Sequence, residues 1–118
     1  MYSFVVHLYT IMLAWTYLSV AIATEVVGTV FLRFTDGFTR PAPSILVIVT
    51  YVLSLWLTAL ALKSLEISLA YAVWAGVGTA AIAIIGMAAL GESVNALKLA
   101  SIVLVIGGVV GLNLSGAN

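Results

Sequence analysis

Long uncharged apolar runs, separated by short charged clusters, make up most of this chain. The charged residues other than Glu25 fall into three clusters, within Arg33–Arg40, Lys63–Glu66 and Glu92–Lys98. The uncharged runs after these clusters cover residues 41–62, 67–91 and 99–118. A helix needs about 20 consecutive apolar residues to cross the hydrocarbon core of a bilayer, and each run meets that length.

The runs therefore predict membrane-spanning helices joined by the charged clusters. Gly37, Pro41 and Pro43 punctuate the first connection, and proline suits the first turn of the helix that follows. Lys63–Glu66 is so short that the helices on either side of it are expected to be antiparallel neighbours. Together with a first apolar segment, the predicted helices cover about residues 13–32, 44–62, 68–90 and 96–114.

The first apolar segment has two interpretations. Ala21-Ile22-Ala23 has the A-x-A form of a signal-peptidase site, which would make the segment a cleaved signal peptide. However, no Lys or Arg precedes the apolar run, whereas a signal peptide normally has a basic start. A membrane-spanning helix that contains Glu25 is therefore favoured. If Met12 is the physiological start, residues 1–11 are an N-terminal extension.

The composition indicates that lipid is the solvent of this protein. Of its 118 residues, 64% are hydrophobic and 7% are charged, whereas soluble domains average about 25% charged residues. So few charges cannot cover the surface of a small water-soluble protein. We therefore expect an all-α membrane protein with one four-helix transmembrane domain over residues 1–118.

Charge and motif content exclude several function classes. The net charge is zero, so there is no basic surface of the kind that binds nucleic acid. The absence of cysteine excludes disulfides and thiolate metal sites, and a lone His7 cannot build a metal site. No glycine-rich nucleotide-binding motif is present, so we expect no cofactor.

Basic residues give only a weak signal for orientation in the membrane. Arg33, Arg40 and Lys98 lie on one predicted side, and Lys63 lies on the other. A bias this small permits either orientation, or both in one population, under the positive-inside rule. A fixed orientation set by the first loop is the alternative.

Glu25 is the one ionisable residue that the pattern places deep in a membrane span. A charge at the bilayer centre costs about 2.5–3.5 kcal/mol on insertion scales. Because burial disfavours the charged form, such a carboxyl group can hold either a proton or a cation, and the two would compete. Ala21, Gly28 and Thr29 share its helix face. The alternative is a protonated structural side chain that bonds across helices, although intramembrane carboxylates usually mark ion or substrate paths.

Aromatic residues offer a second element of a cation site. Tyr71 and Trp74 lie three residues apart on the third predicted helix, and Tyr51 and Trp56 lie on the second. A cation over an aromatic face gains about 0.5–2 kcal/mol. For the Tyr71 and Trp74 pair, the spacing alone leaves binding and packing as equal alternatives.

Small residues mark two further positions. Gly76 and Gly78 lie within one turn of the third helix and indicate either a kink or close packing. On the fourth helix, Ser101, Gly107 and Gly108 place small residues along a stripe. Such stripes are typical contact surfaces between membrane helices.

These residues together resemble the small multidrug resistance family of proton-coupled exporters. The resemblance covers the chain from about Tyr17 to Asn113. It depends on three motifs in order, which are residues 23–29 (ATEVVGT), residues 36–40 (DGFTR) with Pro43, and residues 70–78 (AYAVWAGVG).

The resemblance implies an antiparallel homodimer in a bacterial inner membrane, which exchanges protons for lipophilic or quaternary ammonium cations. Glu25 of each copy would match the shared proton and substrate carboxylate. The other implied substrate positions are Ala21, Gly28, Tyr51, Ser54, Tyr71 and Trp74. Gly76 and Gly78 would match the family's kink in helix 3, and Ser101, Gly107 and Gly108 its dimer contact on helix 4.

Details of the motifs leave the substrate open. At position 28 the glycine resembles the multidrug branch of the family, since the guanidinium-exporting branch typically has tryptophan at this position. Ala75 stands where relatives often have serine, and Leu55 replaces a frequent aromatic residue. Alternatives are a narrow-specificity exporter of guanidinium, polyamine or betaine-like compounds, one half of a heteromeric pair, or a structural or regulatory membrane subunit.

Overall fold

Four helices account for most of the protein. The structure, a computed structural model, describes residues 1–116, so the last two positions of the predicted domain, 117 and 118, lie outside the described residues. The helices are α1 (Tyr2–Leu32), α2 (Pro41–Ala61), α3 (Ile67–Ala89) and α4 (Ala96–Leu114). Each is long and apolar enough to cross a membrane, and no strand occurs in residues 1–116. The all-α, four-span prediction is confirmed.

The helix ends follow local sequence chemistry, with one large difference from expectation. α1 begins at Tyr2 rather than near residue 13, so the extension continues the helix. α2 begins at Pro41, where a fixed φ and a missing N–H do no harm in the first turn. α4 begins after Asn95, whose side chain accepts a hydrogen bond of 2.9 Å from the Lys98 backbone N–H.

The connection between α1 and α2 is a tight reversal. Asp36, Gly37 and Phe38 have φ values of 50°, 66° and 65°, which lie in the left-handed region. Thr35 is buried, and its hydroxyl donates to the Leu32 carbonyl at 2.8 Å while accepting from the Phe38 N–H at 3.2 Å. The turn sends α2 back along α1.

α1 is the central helix of the protomer. It packs against both α2 and α3, whereas α2 and α3 make only marginal contact with each other. The prediction that these two helices are direct neighbours is therefore wrong, because the short Lys63–Glu66 connection crosses α1 beside Ala14 and Tyr17. The apolar stripe that faces its neighbours recurs every fourth residue of α1, at Ala14, Leu18, Ile22 and Val26.

The resulting protomer is a thin slab. Its principal extents are 53 × 37 × 18 Å, and a helix with side chains is about 10–12 Å across. The helices are therefore spread sideways in the order α2, α1, α3, α4. α4 packs against α3 at the edge and has no buried residue.

Candidate functional site

Glu25 lies on the central helix, where it borders two separate cavities. Its side chain is half-buried and faces α3 at Gly78, where an added Cβ would lie 3.6 Å from Glu25 Oε2. A glycine at this position keeps the space beside the carboxylate open. Glu25 can therefore be reached from more than one direction.

A chain of hydroxyl groups holds the carboxylate. The Thr29 hydroxyl donates to Glu25 Oε1 at 2.7 Å, one helical turn along α1. The same Thr29 oxygen lies 2.6 Å from the Tyr51 hydroxyl on α2. Because the single Thr29 proton is committed to Glu25, Tyr51 donates to Thr29. The carboxylate of α1 is thus linked to α2 through two hydrogen bonds, and Oε2 is left for a ligand.

The first cavity, here called the aromatic cavity, is a cleft of about 410 Å³ between α2 and α3 with Glu25 of α1 in its wall. The Tyr71 and Trp74 rings lie 5.6 Å apart at an interplanar angle of 44°. An aromatic face within about 6 Å attracts a cation through the ring quadrupole. Its lining residues are Glu25, Tyr51, Ser54, Leu55, Thr58, Tyr71 and Trp74.

The second cavity has a volume of about 450 Å³ and runs from Glu25 along α3 to loop 3, the connection between α3 and α4. It is here called the loop 3 cavity. It shares only Glu25 and Trp74 with the aromatic cavity. At its far end, Lys98 Nζ lies 3.5 Å from Glu92 Oε1. Its lining residues are Glu25, Thr29, Trp74, Ala75, Gly78, Thr79, Ile82, Ala83, Glu92 and Lys98.

The structure groups four of the expected binding residues and gives the other three a packing role. Glu25, Tyr51, Tyr71 and Trp74 all line the aromatic cavity. Ser54 also borders it, but its hydroxyl is buried and donates to the Ala21 carbonyl at 2.7 Å.

Ala21 is fully buried and lines neither cavity in this protomer. With Ser54 it joins α1 to α2, and its direct contact with a substrate stays a prediction.

Gly28 also belongs to the contact between α1 and α2. An added Cβ there would lie 2.8 Å from two atoms of the Tyr51 ring and would collide with Thr50 Oγ1. The missing side chain therefore allows Tyr51 to lie against α1, within reach of Thr29. Gly28 acts on the site through Tyr51, and its direct contact with a substrate stays a prediction.

The glycines of α3 permit close approach in this structure. α3 is one uninterrupted helix, so the expected kink at Gly76 and Gly78 stays a prediction. A Cβ at Gly76 would collide with the Val109 side chain of α4. Gly76 thus sets the spacing between α3 and α4, while Gly78 faces Glu25.

The small residues of α4 lie on open surface. A Cβ at Gly107 or Gly108 would meet nothing within 4 Å. Ser101 is exposed, and its hydroxyl donates to the Leu97 carbonyl of its own helix at 2.7 Å. The predicted dimer contact on α4 is therefore untested in the protomer.

Nine lining residues of the two cavities were not among the expected site residues, and three of them take part in polar contacts of the site. Thr29 could have been found from its i+4 spacing to Glu25, since a hydroxyl one turn away can bond a carboxylate. The sequence gives no such signal for Glu92 and Lys98, because both appear there as ordinary charged residues of a loop. Only the fold of the connection after α3 brings them to the end of a cavity.

Comparisons with known proteins agree with a small protein of four membrane spans. A family model described as Small Multidrug Resistance protein matches residues 13–105. A guanidinium exporter of Escherichia coli strain K12 is 44% identical over 103 residues, which cover 87% of this chain and 98% of that protein.

Two further relatives carry different names. An uncharacterized membrane protein of Bacillus subtilis strain 168, YvaE, is 46% identical over 100 residues, or 85% of this chain and 84% of that protein. The nicotine metabolites export pump subunit NepB of Paenarthrobacter nicotinovorans is 45% identical over 102 residues, or 86% of this chain and 61% of NepB.

Proposed function

This chain belongs to the small multidrug resistance family of membrane exporters, and on that basis we propose that it exports a small organic cation in exchange for protons bound at Glu25. Members of the family are transporters rather than enzymes. The observation that carries the proposal is the position of Glu25, in the wall of a cavity that also contains the Tyr51, Tyr71 and Trp74 side chains.

Competition at one carboxylate supplies the coupling. A bare carboxylate in an apolar setting is costly, so it is stabilised either by a proton or by a bound cation. The Thr29 hydroxyl satisfies one oxygen of the charged form, and the tilted Tyr71 and Trp74 rings favour a cation near the other. A proton that binds Glu25 removes the negative charge and releases the cation. Proton entry on one side of the membrane then drives cation release there.

Guanidinium-type cations are the leading substrate class. The similar proteins named as guanidinium exporters are 44–45% identical to this chain over 103 residues, and this supports the narrow-specificity alternative above the expected quaternary ammonium exporter. A planar guanidinium can donate two parallel hydrogen bonds to a carboxylate and can stack on an aromatic ring. Glu25 and the Trp74 ring provide both partners.

Lipophilic quaternary ammonium cations are the second candidate. The aromatic cavity of about 410 Å³ falls in the range of about 300–1,000 Å³ that is typical for drug-sized ligands, and a bare guanidinium would fill little of it. Gly28, in place of the tryptophan expected in a guanidinium exporter, points the same way. These two features favour a bulkier cation, whereas the names of the relatives favour guanidinium.

We further propose that the working unit is an antiparallel homodimer in a bacterial inner membrane. A slab 18 Å thick cannot surround a passage for an organic cation, because both cavities open at its surface. Two copies inserted in opposite directions would enclose a common chamber with two Glu25 carboxylates. A heteromeric pair is the alternative, since NepB is named as a subunit of its pump.

Cation-induced proton release from the purified protein tests the function and the substrate class together. Guanidinium and tetraphenylphosphonium are added separately to weakly buffered protein, and the released protons are measured. We expect release by guanidinium from the wild type, no release from Glu25→Gln, and unchanged release from Glu66→Gln, whose carboxyl group lies in the connection before α3.

The outcomes separate the alternatives. Release by tetraphenylphosphonium alone would favour the second candidate. Release from Glu25→Gln as large as from the wild type would refute exchange at Glu25. No release from the wild type with either cation would leave the structural or regulatory subunit as the alternative.

A further inference from the structure

The two cavities that meet at Glu25 differ in their walls. The aromatic cavity adds Tyr51 and Tyr71 to the shared Trp74. The loop 3 cavity has no aromatic lining residue besides Trp74, and it has charged groups at its far end. Two cavities of different chemistry thus meet at one carboxylate.

Small residues of α3 line the loop 3 cavity along its length. Ala75, Gly78, Thr79 and Ala83 recur at helical spacing on one face. Gly86 follows on the same face, and a Cβ there would lie 2.7 Å from Glu92 Cδ, so the Glu92 side chain lies directly on α3. Gly78 faces Glu25, and Gly86 faces Glu92. With a rise of about 1.5 Å per residue, the two carboxyl groups contact α3 about 12 Å apart.

An ion pair lies at the far end of this cavity. Lys98 Nζ lies 3.5 Å from Glu92 Oε1 and also donates to the Ser93 carbonyl at 3.2 Å. The Glu92 backbone N–H donates to the Gly86 carbonyl at 3.0 Å, which anchors the connection on α3. The side chains of Lys98 and Glu92 are 28% and 46% exposed. A pair this exposed is weak and screened by water, so it can open without unfolding the helices.

We propose that in the dimer, where a second copy covers its open side, the loop 3 cavity is the route by which water and protons reach Glu25, and that the Glu92–Lys98 pair is its gate. The proposal rests on the proposed exchange function and divides its two ligands between the two cavities. The charged Glu92 and Lys98 side chains keep water at the mouth of the cavity. The narrow floor of small residues also offers an organic cation no aromatic partner beyond Trp74.

The step that this route serves is the transfer of a proton from hydronium, relayed through water in the cavity, to Glu25, which leaves neutral water behind. The proton adds to a carboxylate oxygen and gives a neutral carboxylic acid, and the organic cation loses its counter-charge. The cation then leaves through the aromatic cavity, so the two ligands do not have to pass each other. Thr79, which is exposed on the floor between Glu25 and the gate, can bond the entering water.

Cysteine labelling tests the gate without any transport measurement. The chain has no cysteine of its own, so Ala83→Cys in the loop 3 cavity and Thr58→Cys in the aromatic cavity each report one route. Purified protein in detergent is treated with a small neutral methanethiosulfonate. Gate variants are Lys98→Met, which removes the pair, and Gly86→Ala, which displaces the Glu92 carboxylate but keeps both charges. Lys98→Arg keeps the pair and is the matched control.

We expect both gate variants to raise the labelling rate at position 83 by about two- to fivefold, the range that a partly exposed ion pair can contribute. The labelling rate at position 58 in the gate variants should stay at the wild-type value. In Lys98→Arg, the labelling rates at both positions should stay at their wild-type values. Equal rates at position 83 in wild type, Lys98→Met and Gly86→Ala would overturn the gate. This result would leave the exchange function intact, because labelling does not depend on Glu25.

Filling the cavity tests the division of the two routes. Ala83→Leu should lower the rate of cation-induced proton release, measured by stopped-flow mixing, severalfold. The equilibrium affinity for the cation should stay within about twofold of the wild type. Leu55→Ala, which enlarges the aromatic cavity, should change the affinity and not the proton rate. If Ala83→Leu weakens cation binding as much as it slows protons, the organic cation uses the loop 3 cavity and the division is wrong.

Discussion

Thr29 determines which oxygen of Glu25 is free for a ligand. Its hydroxyl donates to Oε1 and accepts from Tyr51, so α1 and α2 share the task of orienting one carboxylate. The donated hydrogen bond stabilises the charged form of Glu25, which is the form that a cation binds. The hydroxyl chain therefore favours the cation over the proton.

Removal of the Thr29 hydroxyl is expected to weaken cation binding. Thr29→Val keeps the shape of the side chain but loses a hydrogen bond to a charged group, which costs about 1.5–3 kcal/mol, or about 10- to 150-fold in affinity at constant pH. Isothermal titration with the organic cation measures this change. Thr24→Val is the matched control, because the Thr24 hydroxyl donates to the Ala21 carbonyl of its own helix. Equal affinities for Thr29→Val and wild type would show that the chain does not orient Glu25.

Gly28→Ala is expected to destabilise the protein although alanine favours helices. The new Cβ would press on the Tyr51 ring, and overpacking of this kind costs about 1–3 kcal/mol, against a gain of about 1 kcal/mol in helix propensity. Unfolding by sodium dodecyl sulfate measures the net loss of up to about 2 kcal/mol. Gly107→Ala, which meets open space in the protomer, serves as the comparison and should not destabilise a monomer. A more stable Gly28→Ala protein would contradict the packing of Tyr51 against α1.

The number and extent of the helices follow from sequence, but their lateral order does not. Uncharged runs and Pro41 predict the spans α2, α3 and α4 closely, because the bilayer thickness sets the length of each helix. A short loop shows only that α2 and α3 run in opposite directions. That α1 lies between them depends on side chains such as Ser54, which bonds the Ala21 carbonyl across the interface.

The candidate site shows the same division between what the sequence predicts and what the fold adds. Tyr71, Trp74 and Glu25 can be identified by residue type and depth in the span. The separation into two cavities could not be predicted, since it depends on where loop 3 places Glu92 and Lys98 relative to α3.

The contact between α3 and α4 makes a prediction at the level of helix pairs. Gly76→Ala is expected to push α4 outward, because the new Cβ would overlap the Val109 side chain. Val109→Ala should offset much of this loss when the two changes are combined, so a double-mutant cycle on unfolding free energies should give a coupling of about 0.5–3 kcal/mol. Gly111→Ala paired with Val109→Ala is the control, since position 111 faces open space. If the effects of Gly76→Ala and Val109→Ala are additive, the two residues are not in contact, and the packing of α4 on α3 described above is wrong.

In the whole protomer, α4 lies at the edge, and the side of α4 away from α3 packs against no other helix within residues 1–116. α4 contributes no buried residue, and its small residues Gly107 and Gly108 face open space. Membrane helices associate through such small residues because these allow the backbones to approach closely. A second copy packed on α4 is therefore the expected partner.

Oxidative cross-linking in membranes tests this assembly. Gly108→Cys should form a disulfide-linked dimer because identical stripes from two copies meet there. Val110→Cys lies about 200° further around the helix, at about 100° per residue, and should cross-link much less. Gel mobility without reductant measures both. Equal cross-linking at the two positions would argue against a specific α4 interface.

The length of α1 ties this protein to the thickness of its membrane. At 31 residues and about 1.5 Å per residue, α1 is about 46 Å long, against about 30 Å of hydrocarbon. Residues 1–10 are exposed and mostly apolar, with Ser3, His7 and Thr10 as the polar exceptions, so a thin bilayer leaves them in water or forces the helix to tilt. Hydrophobic mismatch of this kind costs fractions of a kcal/mol per ångström. Lipid chain length should therefore affect the full chain more strongly than a version that starts at Met12.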